Sequence, residues 1–193
     1  MSPYALIVDE FLDDFAAFRK FALSHDFDAV QGNPTDGYAY PHTVMLLDDH
    51  YGVERKLALI VGAQITLRLL VLRLSPEGTI APEQAHSDLY ILIPPSQYSA
   101  ILYVNAQTEC REGAGTSFLR HRASHDQTGE SPDHWKNDQN DADKWETVVR
   151  IPMEENRVVV FPSCLIHRSE PVGGFGADKT NARLVLVAMF DIA

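Results

Sequence analysis

The chain is poor in cysteine and in positive charge. It holds two cysteines and 16 Lys or Arg against 27 Asp or Glu, for a formal net charge of −11 over 193 residues. No basic stripe is present that would displace phosphate counterions, which opposes tight binding to nucleic acid or to an anionic membrane. The partner class left is a small molecule or a protein side chain. Cys110 and Cys164 are too few for a disulfide scaffold. Residues 1–10 lack the basic and apolar regions of a secretion signal. Both point to a reducing, cytoplasmic compartment. The longest apolar tract, Leu57 to Leu72, is broken by Gln64, Thr66 and Arg68 and is too short and too polar to span a bilayer. No internal repeat is visible, and oligomeric state is left open.

What is present fits one compact domain over residues 1–193, with 45% hydrophobic and 22% charged residues. Ala5 to Val8 reads as a short strand. Asp13 is placed to cap a helix in which Phe15, Phe18 and Ala22 recur at helical spacing. A second helix is predicted over about 51–63, with Leu57, Ile60 and Val61 as its apolar side, so that residues 1–64 form a helical support. Residues 31–42 are turn-rich, and their Tyr38, Tyr40 and His42 suggest a loop or edge near a site. From Thr66 onward the pattern becomes strands: 67–74, 88–93, 98–105, 116–121, 145–151, 157–161 and 183–191. Many short strands with Pro and Gly turns after a helical section imply a mostly β core with supporting helices (α+β), best fitted by a jelly roll. The polar, aperiodic stretch 122–144 is expected to be a lid or a disordered insertion.

His86-Ser87-Asp88 is the motif that carries chemistry, although with 8 His and 27 acidic residues about one His-x-acid pair arises by chance. Context raises it. Period-2 alternation from His86 to Tyr90 places His86, Asp88 and Tyr90 on one side of a strand. A second histidine, His167, follows the β-branched run 157–161 and Pro162 within one short loop. Two imidazoles and one carboxylate hold one face of Fe(II) and leave the opposite positions open for an oxidisable acid and O2. Sixteen residues on, Arg183 opens the apolar strand Leu184 to Phe190, and a permanent cation at the mouth of a buried strand needs a carboxylate partner.

The order of these residues resembles the iron(II)- and 2-oxoglutarate-dependent dioxygenases, in the branch similar to prolyl hydroxylases. The resemblance runs from about His86 to residue 193. It rests on His86-Ser87-Asp88, Ile101-Leu102-Tyr103-Val104-Asn105, Gly113-Ala114-Gly115-Thr116-Ser117-Phe118, Val160-Phe161-Pro162 before His167, and the arginine-led final strand. It implies a double-stranded β-helix (jelly-roll, cupin-like), a catalytic metal site of His86, Asp88 and His167 holding Fe(II), and 2-oxoglutarate bound by Arg183 and Tyr103, with Thr116 a further lining residue. It also implies hydroxylation of a small-molecule or protein substrate, coupled through O2 to decarboxylation of the oxoacid. Two departures stand out. The interval from His167 to Arg183 is long and contains Lys179 as a competing cation, and Val185 stands where a serine often follows the arginine.

Other readings are weaker. Cys164 and His167 supply only two zinc ligands where four are needed. His125 and His134 lie in the polar insertion and read as solvated. Tyr90, Tyr38, Tyr40 and Trp135 are candidates to touch substrate, with Trp135 and Trp145 able to close over it or to pack the insertion onto the core. A jelly-roll binding protein without turnover and a cupin-type isomerase compete with the oxygenase. Arg183 argues against the isomerase, which has no reason to place a cation there, and the intact set of His86, Asp88 and His167 argues against a relative without turnover, which would usually have lost part of it.

Overall fold

In a computed structural model that describes residues 5–27, 42–78 and 85–193, and the backbone of 31–32 and 39–40, the chain folds as two packed antiparallel sheets with two helices on one side. In chain order the elements are β1 (Leu6–Val8), α1 (Phe15–Leu23), β2 (Gln31–Gly32), β3 (Ala39–Tyr40), β4 (Thr43–Met45), α2 (Val53–Val61), β5 (Ile65–Ser75), β6 (Tyr98–Tyr103), β7 (Gly115–His121), β8 (Trp145–Pro152), β9 (Val158–Pro162), β10 (His167–Glu170) and β11 (Arg183–Ile192). The large sheet has the order β1-β9-β6-β11-β5-β4 and the small one β10-β7-β8, while β2 and β3 form a separate ribbon. This is the mostly β jelly roll expected from the strand pattern. No helix among the described residues is long and apolar enough to cross a membrane.

The central strands read as unbroken apolar runs because both of their faces are covered. Along β11 the alternation is nevertheless strict. Leu184, Leu186, Ala188 and Phe190 pack with Leu70, Leu72 and Leu74 of β5 against Phe18 and Ala22 of α1 and Val53 and Leu57 of α2. Arg183, Val185, Val187 and Met189 face the other way, into a cavity between the sheets. One end of the inter-sheet space is filled by Tyr103, Phe118, Ile151, Val159, Phe161 and Phe175.

The helices pack on the large sheet behind the cavity, and their ends are built locally. Asp14, one residue beyond the expected Asp13, caps α1 by accepting from the Ala17 N–H at 3.1 Å. Asp13 instead pairs with Lys56 of α2 at 2.5 Å. Helix α2 begins where Asp49 accepts from the Val53 and Glu54 N–H groups, and stops at Gly62 in the left-handed region.

Three expectations change. Residues 88–93 are not a strand: Asp88–Tyr90 form a short 3-10 turn, because the Ile91 N–H bonds back to the Asp88 carbonyl at 3.2 Å. His167 lies inside a structured element, as the first residue of β10. The segment 122–144 is ordered by three 3-10 turns and packs behind the small sheet as a buttress. There Trp135 and Trp145 meet edge to face at 6.0 Å and bury Ala85, Leu119 and Ile166. His121, fully buried, ties this layer down by bonding Ser124 at 2.8 Å and Asp138 at 3.0 Å.

Candidate metal centre

Backbone pairing brings the distant histidines together. The His86 N–H donates to the His167 carbonyl at 3.0 Å, and the His167 N–H donates back at 2.8 Å. The pair therefore adds one rung to the edge of the small sheet beside β10. Ser87 is extended, so Asp88 returns to the same side as His86, and the 3-10 turn begins only there. The Asp88 N–H is anchored on the Ser163 carbonyl at 2.9 Å. One ligand atom from each of His86, Asp88 and His167 then lies within 4.8 Å of the others, with Asp88 and His167 buried. The two imidazole rings are 4.4 Å apart, and His167 Nε2 is 3.8 Å from the Asp88 carboxylate.

These residues fit a divalent metal. His167 Nδ1 lies 2.9 Å from the Leu165 carbonyl. That contact places the proton on Nδ1 and leaves the Nε2 lone pair facing Asp88 and His86, as metal-bound histidines are held. Two ligands on one ion are at most about 4.2 Å apart when each bond is about 2.1 Å. On one face of an ion, ligands about 90° apart lie about 3.0 Å from each other, so the three side chains must draw inward to close on it. Two nitrogens and one carboxylate on one side leave the cavity side open.

Across the cavity stands Arg183. Its side chain is buried, pairs with no carboxylate among the described residues, and has its Nε without a hydrogen-bond partner. Burial pushes the guanidinium down to about 10, the neighbouring Tyr103 opposes that fall, and the Arg73 charge adds to it. Tyr103 is packed beside it without lining the cavity, its ring 6.0 Å from the Arg183 guanidinium carbon. The Tyr103 hydroxyl lies 2.8 Å from the Thr116 hydroxyl. Burial raises the phenol above its ordinary range, while Arg183 and Thr116 pull the other way. A buried cation lacking its bidentate partner, beside a neutral phenol and a hydroxyl, is a receptor for a carboxylate.

The cavity measures about 510 Å³, within the roughly 300–1,000 Å³ typical of small-molecule sites. His86, Asp88, His167, Thr116 and Arg183 line one part of it, and Leu69, Val71, Val187, Met189, Met45 and Leu47 the rest. Leu47 is 89% exposed, so the cavity meets solvent beside β4. Ser169 and Arg73 also line it, and neither was singled out from sequence. Arg73 carried the same signal as Arg183, a cation inside an apolar strand, but the helix-facing leucines of β5 obscured it.

The other candidates fall elsewhere. Tyr90 turns out of the cavity with the 3-10 turn and donates its hydroxyl to the Gly129 carbonyl at 2.9 Å. Trp135 lies in the buttress and not along the cavity wall. Lys179 reaches the His25 carbonyl at 3.2 Å, on the exterior, and does not line the cavity. Tyr38 lies outside the described residues, and Tyr40 is described only as backbone paired with Gln31.

Together these features define a double-stranded β-helix whose small sheet carries a His-Asp-His cluster facing a buried arginine. The sequence matches no family model and no curated protein. Solved structures match the fold across nearly the whole chain. The carbocyclase SnoK from nogalamycin biosynthesis, described as non-haem and α-ketoglutarate-dependent, is 16% identical with a TM-score of 0.59, covering 96% of this chain and 78% of its own. EctD from S. alaskensis, solved with 2-oxoglutarate and 5-hydroxyectoine, is 13% identical with a TM-score of 0.56, covering 97% and 72%. The viral collagen prolyl hydroxylase of Paramecium Bursaria Chlorella virus-1 is 12% identical with a TM-score of 0.55, covering 97% and 88%.

Proposed function

We propose that this chain is an Fe(II)- and 2-oxoglutarate-dependent oxygenase that hydroxylates a small-molecule or protein substrate. The observation that supports this reading best is the pairing, across one cavity, of the His86, Asp88 and His167 cluster with the buried Arg183. A metal-binding protein without turnover needs only the first, and a cupin isomerase has no use for the second. When bound, iron and 2-oxoglutarate supply the oxidising chemistry, with succinate and CO2 as coproducts.

The residues have separate tasks. His86, Asp88 and His167 hold one face of the metal, with the Leu165 carbonyl fixing the proton of His167 on Nδ1. Arg183 binds the far carboxylate of the oxoacid and so orients its other end toward the metal cluster. Tyr103 and Thr116 carry hydroxyls beside Arg183, and Tyr103, kept protonated by burial, donates a hydrogen bond to the same carboxylate. Val185 leaves no third hydroxyl on β11. The apolar wall of β5 and β11 excludes water from the reacting centre. The structural neighbours include a carbocyclase, a protein bound to 5-hydroxyectoine and a prolyl hydroxylase, so the fold favours no single branch or outcome.

The test is anaerobic titration with Fe(II) and 2-oxoglutarate, followed by succinate release on admission of air. His86→Ala, Asp88→Ala and His167→Ala are each expected to abolish Fe(II)-dependent succinate while keeping the far-ultraviolet spectrum. Normal succinate formation in any two of them overturns the metal assignment.

A further inference from the structure

The long interval between His167 and Arg183 has no part in the oxygenase reading, and the topology places it across the end of the inter-sheet space that holds Arg183. At that end β5, β6, β8 and β10 finish while β7 and β11 begin: Ser75 pairs with Arg183, Tyr103 with Val185, and Gly115 with both Pro152 and Glu170. Residues 171–182 cross it on the way from β10 to β11. Phe175 is their one aromatic side chain. It is fully buried, in one apolar cluster with Tyr103, Val185, Ala114 and Met153.

The backbone of Phe175 is clamped to the two strands that meet at Arg183. The Phe175 N–H donates to the Ser75 carbonyl at 3.2 Å, and the Arg183 N–H donates to the Phe175 carbonyl at 3.3 Å. The Glu77 N–H adds a bond to the Gly176 carbonyl at 2.8 Å. Gly174 and Gly176 flank Phe175 at φ +74° and +76°. A Cβ on the first would run into the backbone of Ser75 and Pro76, and on the second into that of Asn181 and Ala182. Two glycines thus seat the chain close against its neighbours with one bulky side chain between them. The Arg111 guanidinium carbon lies 4.9 Å from the Phe175 ring centre, and this cation–π contact adds to the hold on the ring.

The cavity stops short of this cluster: Arg183, Thr116 and Val185 line it, and Phe175 and Tyr103 do not. The buried Arg183 side chain lies beside Tyr103, and Tyr103 shares its cluster with Phe175, so the guanidinium has packed side chains behind it. The span from the metal cluster to the guanidinium is then fixed, and an oxoacid that bridges the two must have one length. One surplus methylene in a closed site costs roughly 10–200-fold in discrimination.

We infer that Phe175 is the end stop of the cosubstrate pocket, and that by backing Arg183 it selects 2-oxoglutarate over 2-oxoadipate, the homologue longer by one methylene. Phe175 is a positioning residue that acts through Arg183. This inference rests on the oxygenase reading.

Calorimetry on the folded full chain, loaded with Mn(II) so that no turnover intrudes, compares the two oxoacids. Wild type is expected to bind 2-oxoglutarate about thirtyfold or more tightly than 2-oxoadipate. Phe175→Ala gives the guanidinium room to retreat and should narrow that ratio to about threefold or less, with Phe175→Leu falling between. A general loosening of the fold would weaken both acids together and leave the ratio alone. A wild-type ratio near one, or a ratio unchanged in the folded variants, would overturn the inference while the oxygenase reading stands. Phe175→Leu alone decides this if Phe175→Ala does not fold. Absence of 2-oxoglutarate binding to the Mn(II)-loaded wild type would instead overturn the oxygenase reading and this inference with it.

Discussion

Replacing Arg183 with methionine should stabilise the ligand-free protein and remove its response to 2-oxoglutarate. The side chain is buried, its Nε has no partner, and burial lowers its pKa from the ordinary guanidinium range to about 10. At about 1.4 kcal/mol per tenfold, that fall corresponds to roughly 3 kcal/mol of destabilisation carried by the charge. Methionine refills most of the volume and loses the contact with the Tyr103 ring, worth about 1 kcal/mol. The net gain is then about 2 kcal/mol, or roughly 4–8 °C in the unfolding midpoint of a chain this size. A base whose folded pKa lies below its unfolded one destabilises the fold at every pH below about 10. The penalty fades as pH rises above about 10 toward the ordinary guanidinium pKa, so the gain should be constant through the neutral range and shrink above it. In wild type loaded with Mn(II), 2-oxoglutarate at about 100 times its dissociation constant adds roughly 2.7 kcal/mol. The variant loses the bidentate partner of the carboxylate, about 2–5 kcal/mol of binding, and with it nearly all of that increment. Thermal unfolding with and without 2-oxoglutarate reads both effects. A lower midpoint in the ligand-free variant, or an increment in the variant as large as the wild type's on adding the oxoacid, would show that the cation is not an unpaired carboxylate receptor.

Three further outcomes are expected. A Cβ on Gly129 would sit 1.9 Å from the Ser87 hydroxyl, so Gly129→Ala should cost about 1–3 kcal/mol. It should also weaken Mn(II) binding, because Ser87 joins two ligands; unchanged calorimetry and unchanged unfolding would remove that argument. Trp135→Ala empties the centre of the buttress and should destabilise by about 3–5 kcal/mol, while excision of residues 124–141 should unfold the small sheet. A folded excision variant would restore the lid reading of this segment. Burial, then Glu155 and Glu109, push the Cys110 thiol up to about 11, so iodoacetamide should label the native protein slowly at pH 8 and quickly once unfolded.

Much of the fold was legible because burial imposes a period. The alternation along β11 and the Val-rich β9 announced strands, and Arg183 announced itself as a charge where the pattern demanded an apolar side chain. The ligand set was legible for a similar reason, since His86 and Asp88 are spaced by two and the extended Ser87 keeps them on one side. What failed was set by long-range contacts. The apolar residues of 88–93 look like a strand locally, yet the Asp88 N–H bonds to Ser163 and the chain turns. Tyr90 is carried away from the cavity as a result. The segment 122–144 looks like a loop because its apolar anchors are few. Its order depends on Trp135 meeting Trp145, and on the Ala85 N–H donating to the Gln139 carbonyl at 3.1 Å.

That last bond explains why an ordered buttress is worth more here than a mobile cover. His86 belongs to no strand longer than a single bridge, and Asp88 starts a three-residue turn, so neither ligand is positioned by a sheet of its own. Their positions are fixed from outside: Ala85 by Gln139, His86 by the His167 backbone, Asp88 by Ser163, and Ser87 by the close approach of Gly129. Catalytic geometry tolerates errors of only about half an ångström, and loop-borne groups meet that limit only when their supports are rigid. The site therefore depends on residues that never touch the cavity. Its sequence signature is correspondingly split, with the ligands readable from a three-residue motif and their supports scattered through a stretch that has no period at all.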